Sequence, residues 1–153
     1  MKQIKNIKNK IKYEKYYDPD FEWNDMFFYK FNEETPLFSE EFLEEFKDKI
    51  NWSIMSIFKQ LSEELIEKFQ DYVHWEIVSY RQKLSEPFIE KFQDKVNWFN
   101  ISGGQKLSEP FIEKFQDKVI WSQIKYCQKL SKKFEKKFQE RLDKYIDVKN
   151  IKN

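Results

Sequence analysis

The sequence predicts an all-α fold, a short right-handed-type α-solenoid of helix-turn-helix repeats. Three observations carry this. Residues 82–96, QKLSEPFIEKFQDKV, recur letter for letter as residues 105–119. Serine (Ser39, Ser62, Ser85, Ser108, Ser131) and tryptophan (Trp52, Trp75, Trp98, Trp121) each keep a 23-residue step. Within one unit the apolar residues follow helical rather than alternating spacing. A two-helix unit of this size cannot cover its own apolar face, so neighbours must stack.

Residues 1–38 read as a basic leader plus a degenerate capping repeat. Ile4, Ile7 and Ile11 form a thin helical stripe among lysines, expected to dock on the first repeat. Asp18-Pro19-Asp20 marks a turn. Trp23 and Met26 mimic Trp52 and Met55, joined to the array by a linker six residues longer that contains Glu33, Glu34, Thr35 and Pro36. Residues 39–142 are the tandem repeats, and 143–153 a tail. Lys144 stands where tryptophan is due, so the last unit reads as truncated. Atypical terminal units suit an array whose outer faces meet water.

In each unit a first helix, A, opens at a serine N-cap. Ser85 is followed by Glu86-Pro87, an acid and a proline that the first turn favours. Phe88, Ile89, Phe92 and Val96 then line one face, with Asn97 breaking or capping this helix. A shorter helix, B, runs from Trp98 through Ile101 to about Gln105. The alternative is an α/β solenoid with residues 96–102 as a strand. Gly103-Gly104 favours that alternative by weakening helix B.

Composition narrows the function. Forty per cent of the 153 residues are hydrophobic, with 16 Phe, 8 Tyr and 5 Trp, which is ample for a core. The absence of Ala, with abundant Lys, Asn, Ile and Phe, suggests an AT-rich genome. Net charge is only +1, but from Lys125 onward ten bases face four acids, while residues 16–48 carry eleven acids against Lys30 and Lys47. One cysteine, Cys127, excludes an internal disulfide framework and suits a reducing compartment. With no apolar signal region and no apolar run of membrane-spanning length, a cytoplasmic location is expected and no membrane partner.

No motif points to catalysis, a cofactor or a small-molecule substrate. His74, the single histidine, occupies the position of Asn51 and Asn97 and reads as a cap. Cys127 has no partner set for a nucleophile or a zinc site. Glu67, Glu90 and Glu113 recur by register and read as a solvated face. The chain is expected not to be an enzyme.

The informative positions are those where the copies disagree. Ser53, Ile54, Ile57 and Phe58 become Glu76, Ile77, Tyr80 and Arg81, then Phe99, Asn100, Gly103 and Gly104, then Ser122, Gln123, Tyr126 and Cys127. On a helix these i, i+1, i+4 and i+5 positions share one side. Meanwhile Glu90, Lys91, Gln93, Asp94 and Lys95 recur unchanged as Glu113, Lys114, Gln116, Asp117 and Lys118, although exposed positions free of constraint should drift. Partner-binding residues are therefore expected at Glu76, Ile77, Tyr80, Arg81, Phe99, Asn100, Ser122, Gln123 and Tyr126.

The LSEPFIEKFQDKVNW unit resembles short tandem helical repeats of uncharacterised proteins from large DNA viruses and phages. The resemblance covers about residues 39–142 and implies a viral origin and a non-catalytic role, without assigning any residue a task. It makes a host protein or ribonucleoprotein the expected partner, occluded as a blocker of bacterial immunity such as an anti-CRISPR protein would do. The alternative is an RNA or single-stranded nucleic-acid reader. Tyr80, Arg81, Phe99, Lys125 and Tyr126 would meet bases and phosphates, aided by the basic unit of Lys132, Lys133, Lys136, Lys137 and Arg141.

Overall fold

The computed structural model describes residues 13–20, 22–23 and 39–144. The leader stripe of Ile4, Ile7 and Ile11, together with Met26, the linker at Glu33–Pro36 and the tail from residue 145, lies outside the described residues. Among the described residues a 3-10 turn, Glu14–Tyr17, precedes ten short helices from Glu40 onward. These are α1 (Glu40–Phe46), α2 (Trp52–Phe58), α3 (Glu63–Lys68), α4 (Trp75–Arg81) and α5 (Glu86–Lys91). They continue as α6 (Trp98–Gly104), α7 (Glu109–Lys114), α8 (Trp121–Cys127), α9 (Lys132–Lys137) and α10 (Gln139–Asp143). Through α9, odd numbers are A helices and even numbers B helices. Each B helix from α4 on packs against its predecessor, building an all-α solenoid. Among the described residues there is no strand, and the segment open to a strand reading is helix α6. The two glycines do not break it, because both adopt negative φ inside the helix.

The A helices start as the serines predict. Ser85 sits in extended conformation and its Oγ accepts from the Phe88 amide at 3.3 Å. Ser39, Ser62, Ser108 and Ser131 repeat the arrangement on Phe42, Leu65, Phe111 and Phe134. The inner A helices are only six residues long, however, and end well before Val96. Gln93 N already turns to Glu90 O, and two backbone groups beyond it are claimed from elsewhere. A helix continued through Asn97 would need the Asn97 amide to donate to Gln93 O. Instead the Asn97 amide donates to Ser79 Oγ of the preceding unit at 2.9 Å, and Gln93 O accepts the Trp98 indole N–H at 2.9 Å. Ile120 and Gln116 repeat both bonds, to Ser102 Oγ and from Trp121. Phe92 O takes the Lys95 and Val96 amides, so residues 92–96 form turns that still bury Phe92 and Val96. Asn97 accordingly caps α6 rather than ending helix A, its side chain accepting from the Asn100 amide. His74 stands at the same position before α4 but makes no side-chain capping bond, which corrects its expected role.

Stacking is aromatic at its centre. Each B-helix tryptophan lies on the phenylalanines of the next unit. Trp75 meets Phe92 at 5.0 Å, Trp98 meets Phe115 at 5.2 Å and Trp121 meets Phe138 at 5.0 Å between ring centroids. Ile66, Ile89, Ile112, Val78, Ile101 and Ile124 are fully buried between these layers. Each such side chain contributes about 1.5–3 kcal/mol. The degenerate first unit is visible in part: Trp23 lies on Phe46 at 5.2 Å, the same relation despite the six-residue insertion. Tyr13 and Tyr16 pack edge-on against Phe42, and Tyr17 lies on Phe46. These tyrosines cover the start of the array, a role that the isoleucine stripe did not announce.

Polar rungs join the units at one-repeat intervals. Gln105 Nε2 donates to Ser79 O at 3.0 Å and Gln82 O at 2.8 Å, the free carbonyls at the end of α4, while its Oε1 accepts from the Leu84 amide at 3.1 Å. Gln82 and Gln128 do the same one unit earlier and later. Helix ends leave carbonyls that need partners, and here the following unit supplies them. Ser56, Ser79 and Ser102 are fully buried and bond Trp52 O, Trp75 O and Trp98 O. Among the described residues no buried side-chain polar atom lacks a partner.

Candidate binding face

The A-helix surface is committed to stacking. Glu63, Glu86 and Glu109 accept from the backbone amide and hydroxyl of Ser85, Ser108 and Ser131 in the next unit, the hydroxyls at 2.9, 3.0 and 3.1 Å. Lys91, Lys114 and Lys137 pair with Glu67, Glu90 and Glu113 one unit back. Lys95, Lys118 and Arg141 reach Asp71, Asp94 and Asp117 at 3.1, 2.8 and 3.2 Å. Glu90, Lys91, Asp94 and Lys95 are thus ladder partners, and the premise that they were free to drift falls. Their constancy has a structural cause, independent of any binding elsewhere. Each exposed pair is worth only about 0.2–1 kcal/mol, but together they fix the register of neighbours.

The B helices lie side by side and present the variable positions. Phe58, Tyr80, Phe99 and Tyr126 are 56%, 60%, 56% and 60% exposed. Glu76 and Arg81 are exposed too. The i+1 positions behave differently, because neighbouring B helices pack along that edge. Ile54, Ile77, Asn100 and Gln123 are half-buried, as is Ser122. Asn100 Nδ2 donates to Glu76 O at 3.1 Å, so this residue also ties α6 to α4. Gln123 lies over the bare backbone of Gly103, where a methyl group would collide with its amide oxygen. It also accepts from the Cys127 thiol at 3.6 Å.

The fold brings one group of the expected residues together. Ile57, Glu76, Ile77, Tyr80, Arg81 and Asn100, drawn from α2, α4 and α6, line an open pocket of about 360 Å³. Ile57 and Ile77 supply its aliphatic lining, and the Arg81 guanidinium lies over the Tyr80 ring at 5.0 Å. Ser122, Gln123 and Tyr126 belong to α8 and lie outside this pocket, further along the same row of helices. The arrangement offers apolar and aromatic contact with a few polar groups at its edge. Among the described residues no group of three His, Cys, Asp or Glu side chains is placed to hold a metal ion, and no helix is long and apolar enough to cross a membrane.

Sequence reasoning missed the polar rungs. Their signal was present, since Ser56, Ser79 and Ser102, and likewise Gln82, Gln105 and Gln128, are 23 residues apart. Compared with known proteins, the chain matches no family model, no curated sequence and no solved structure.

Proposed function

We propose that this chain is a non-catalytic binding scaffold that engages a partner protein along the row of B helices. The observation that carries this reading is the run of exposed aromatic side chains Phe58, Tyr80, Phe99 and Tyr126 on four successive B helices. In a chain whose recurring polar and charged positions are spent on stacking, the non-repeating positions are the ones that carry large exposed rings in a row. Aromatic and arginine side chains are also the commonest energetic anchors of protein interfaces. The unit's resemblance to repeats of phage and large-DNA-virus proteins makes a host protein or ribonucleoprotein, such as a defence effector, the partner to seek in the cytoplasm.

The test is affinity capture with the wild-type chain and a Tyr80→Ser, Phe99→Ser, Tyr126→Ser variant, each checked by circular dichroism and thermal melting. The expected result is a specific protein retained by the wild type and lost by a variant of unchanged helicity and melting. Equal capture by both chains contradicts the proposal. So does unfolding of the variant, which would make these rings core residues.

A further inference from the structure

The fifth unit breaks the ladder in an informative way. In the inner units, the two acids of helix A, Glu86 and Glu90 in one copy and Glu109 and Glu113 in the next, receive the following unit's serine and lysine. The equivalent residues of α9 are Lys132 and Lys136, and Lys133 replaces the proline. Lys132, Lys133 and Lys136 form no ion pair among the described residues, whereas Lys137 and Arg141 of the same unit are paired backward. The three free ammonium groups are exposed.

Ending a ladder does not require this. Any polar residue without a carboxylate would stop a further rung. Lysines at 132 and 133 instead put two cations at the start of a helix, where the backbone dipole disfavours them and the inner copies carry an acid and a proline. Glu135 in the same turn and the last-turn place of Lys136 offset this only in part. Lysines 132 and 136, four apart, also repel each other along one face. Local rules of this kind are broken at functional sites, where a partner supplies the compensation. Lys129 on the preceding loop adds a further exposed cation, and residues 125–144 hold eight bases, Lys125, Lys129, Lys132, Lys133, Lys136, Lys137, Arg141 and Lys144, against Glu135, Glu140 and Asp143.

We propose that this end of the array is a phosphate-binding face that holds the backbone of a nucleic acid, separate from the row of B helices. The chemistry fits a backbone rather than bases. Lysine is a flexible point charge that meets phosphate without reading sequence, and the exposed large apolar side chains lie elsewhere on the chain, with Tyr126 of α8 the nearest in sequence.

The experiment measures fluorescence anisotropy of a labelled single-stranded RNA about 20 nucleotides long, and of duplex DNA, between about 50 and 200 mM salt. The comparison is a Lys132→Glu, Lys133→Pro, Lys136→Glu variant, which restores the residue types that inner units fold with. At about 0.7 counterions released per phosphate on a single strand, three lysines contribute roughly 2 to the salt slope. The wild type should therefore lose roughly twentyfold more affinity than the variant across that range, and the variant should bind at least about tenfold more weakly at low salt. A Lys132→Gln, Lys133→Gln, Lys136→Gln variant gives the same reading should the first fail to fold. Equal binding by wild type and variants overturns the proposal. So does failure of the wild type to bind either nucleic acid at low salt, or binding of phosphatidylserine vesicles alone.

Discussion

Replacing Gln105 with leucine probes the rung that joins the second and third full units. The amide is buried and makes three hydrogen bonds, to Ser79 O, to Gln82 O and from the Leu84 amide. Leucine fills nearly the same space but satisfies none of these backbone groups. Three buried groups left without partners cost about 1–3 kcal/mol each, a central sum of about 6 kcal/mol. Burying the leucine contributes about 2 kcal/mol and partial solvation of the helix end relieves some of the rest, leaving a loss of about 3 kcal/mol. With a urea dependence of about 2 kcal/mol per molar, the unfolding midpoint should fall by about 1.5 M. Because the lost contacts lie between units, the transition should also broaden as the array's halves uncouple. Circular dichroism and tryptophan fluorescence, with Trp98 and Trp121 flanking Gln105 in sequence, would follow it. Lys106→Gln on the neighbouring exposed residue is the control and should move the midpoint by no more than about 0.25 M. A Gln105→Leu shift as small as that of the control would refute the rung as a source of stability.

Two further outcomes follow from local geometry. Gly104→Ala should stabilise the chain by about 0.5 kcal/mol, somewhat less than the helix-interior value, since it removes a glycine from the last position of α6 and the nearest atom to the new methyl, Tyr80 O, is at 4.0 Å. Gly103→Ala should gain less, because the Gln123 amide must first move aside; thermal melting of the two variants should rank them in that order. At the start of the array, burial on Phe46 pushes the Tyr17 hydroxyl up to about 12, helped by Glu45, which accepts its hydrogen bond at 2.6 Å. The raised value favours the neutral phenol in the folded chain. Its stabilisation is therefore complete below about pH 10 and lost as pH rises through about 12. The tyrosinate absorbance of wild type minus Tyr17→Phe should titrate above pH 10.0, and a difference curve centred at 10.0 would contradict that environment.

Much of this fold was legible in the amino-acid order, for a definite reason. The Ser85 cap and the Trp98–Ile101 spacing are set within single helices, so local chemistry reveals them even though Trp98 goes on to pack against Phe115 of the next unit. The 23-residue step then locates every copy. What escaped was contact between units. Phe88, Ile89, Phe92 and Val96 predict a helix through Val96, but the chain turns after Lys91, and Ser79 Oγ and the Trp98 indole then take the Asn97 amide and Gln93 carbonyl that a longer helix would pair. The charges at Glu90, Lys91, Asp94 and Lys95 look like an idle surface until the next unit is stacked on them. The variable face was read more fully. Tyr80, Phe99 and Tyr126 are exposed as their spacing implies. Ile77, Asn100 and Gln123 are partly covered because the adjoining B helix packs there, which spacing within one helix does not convey.

The central claim is a division of labour, in which the ladder and core hold the array while the residues that differ between copies select the partner. The most direct measurement transplants one unit's variable set into another. Phe99, Asn100, Gly103 and Gly104 are replaced by Ser, Gln, Tyr and Cys, the residues found 23 positions later. Urea unfolding and affinity capture are then read on the same protein. The account predicts an unfolding midpoint close to that of the wild type, the loss of two glycines from the last turn of α6 offsetting the displacement of the Gln123 amide from residue 103, together with a changed set of captured proteins. A collapsed midpoint, or an unchanged set of captured proteins on an intact fold, would contradict it.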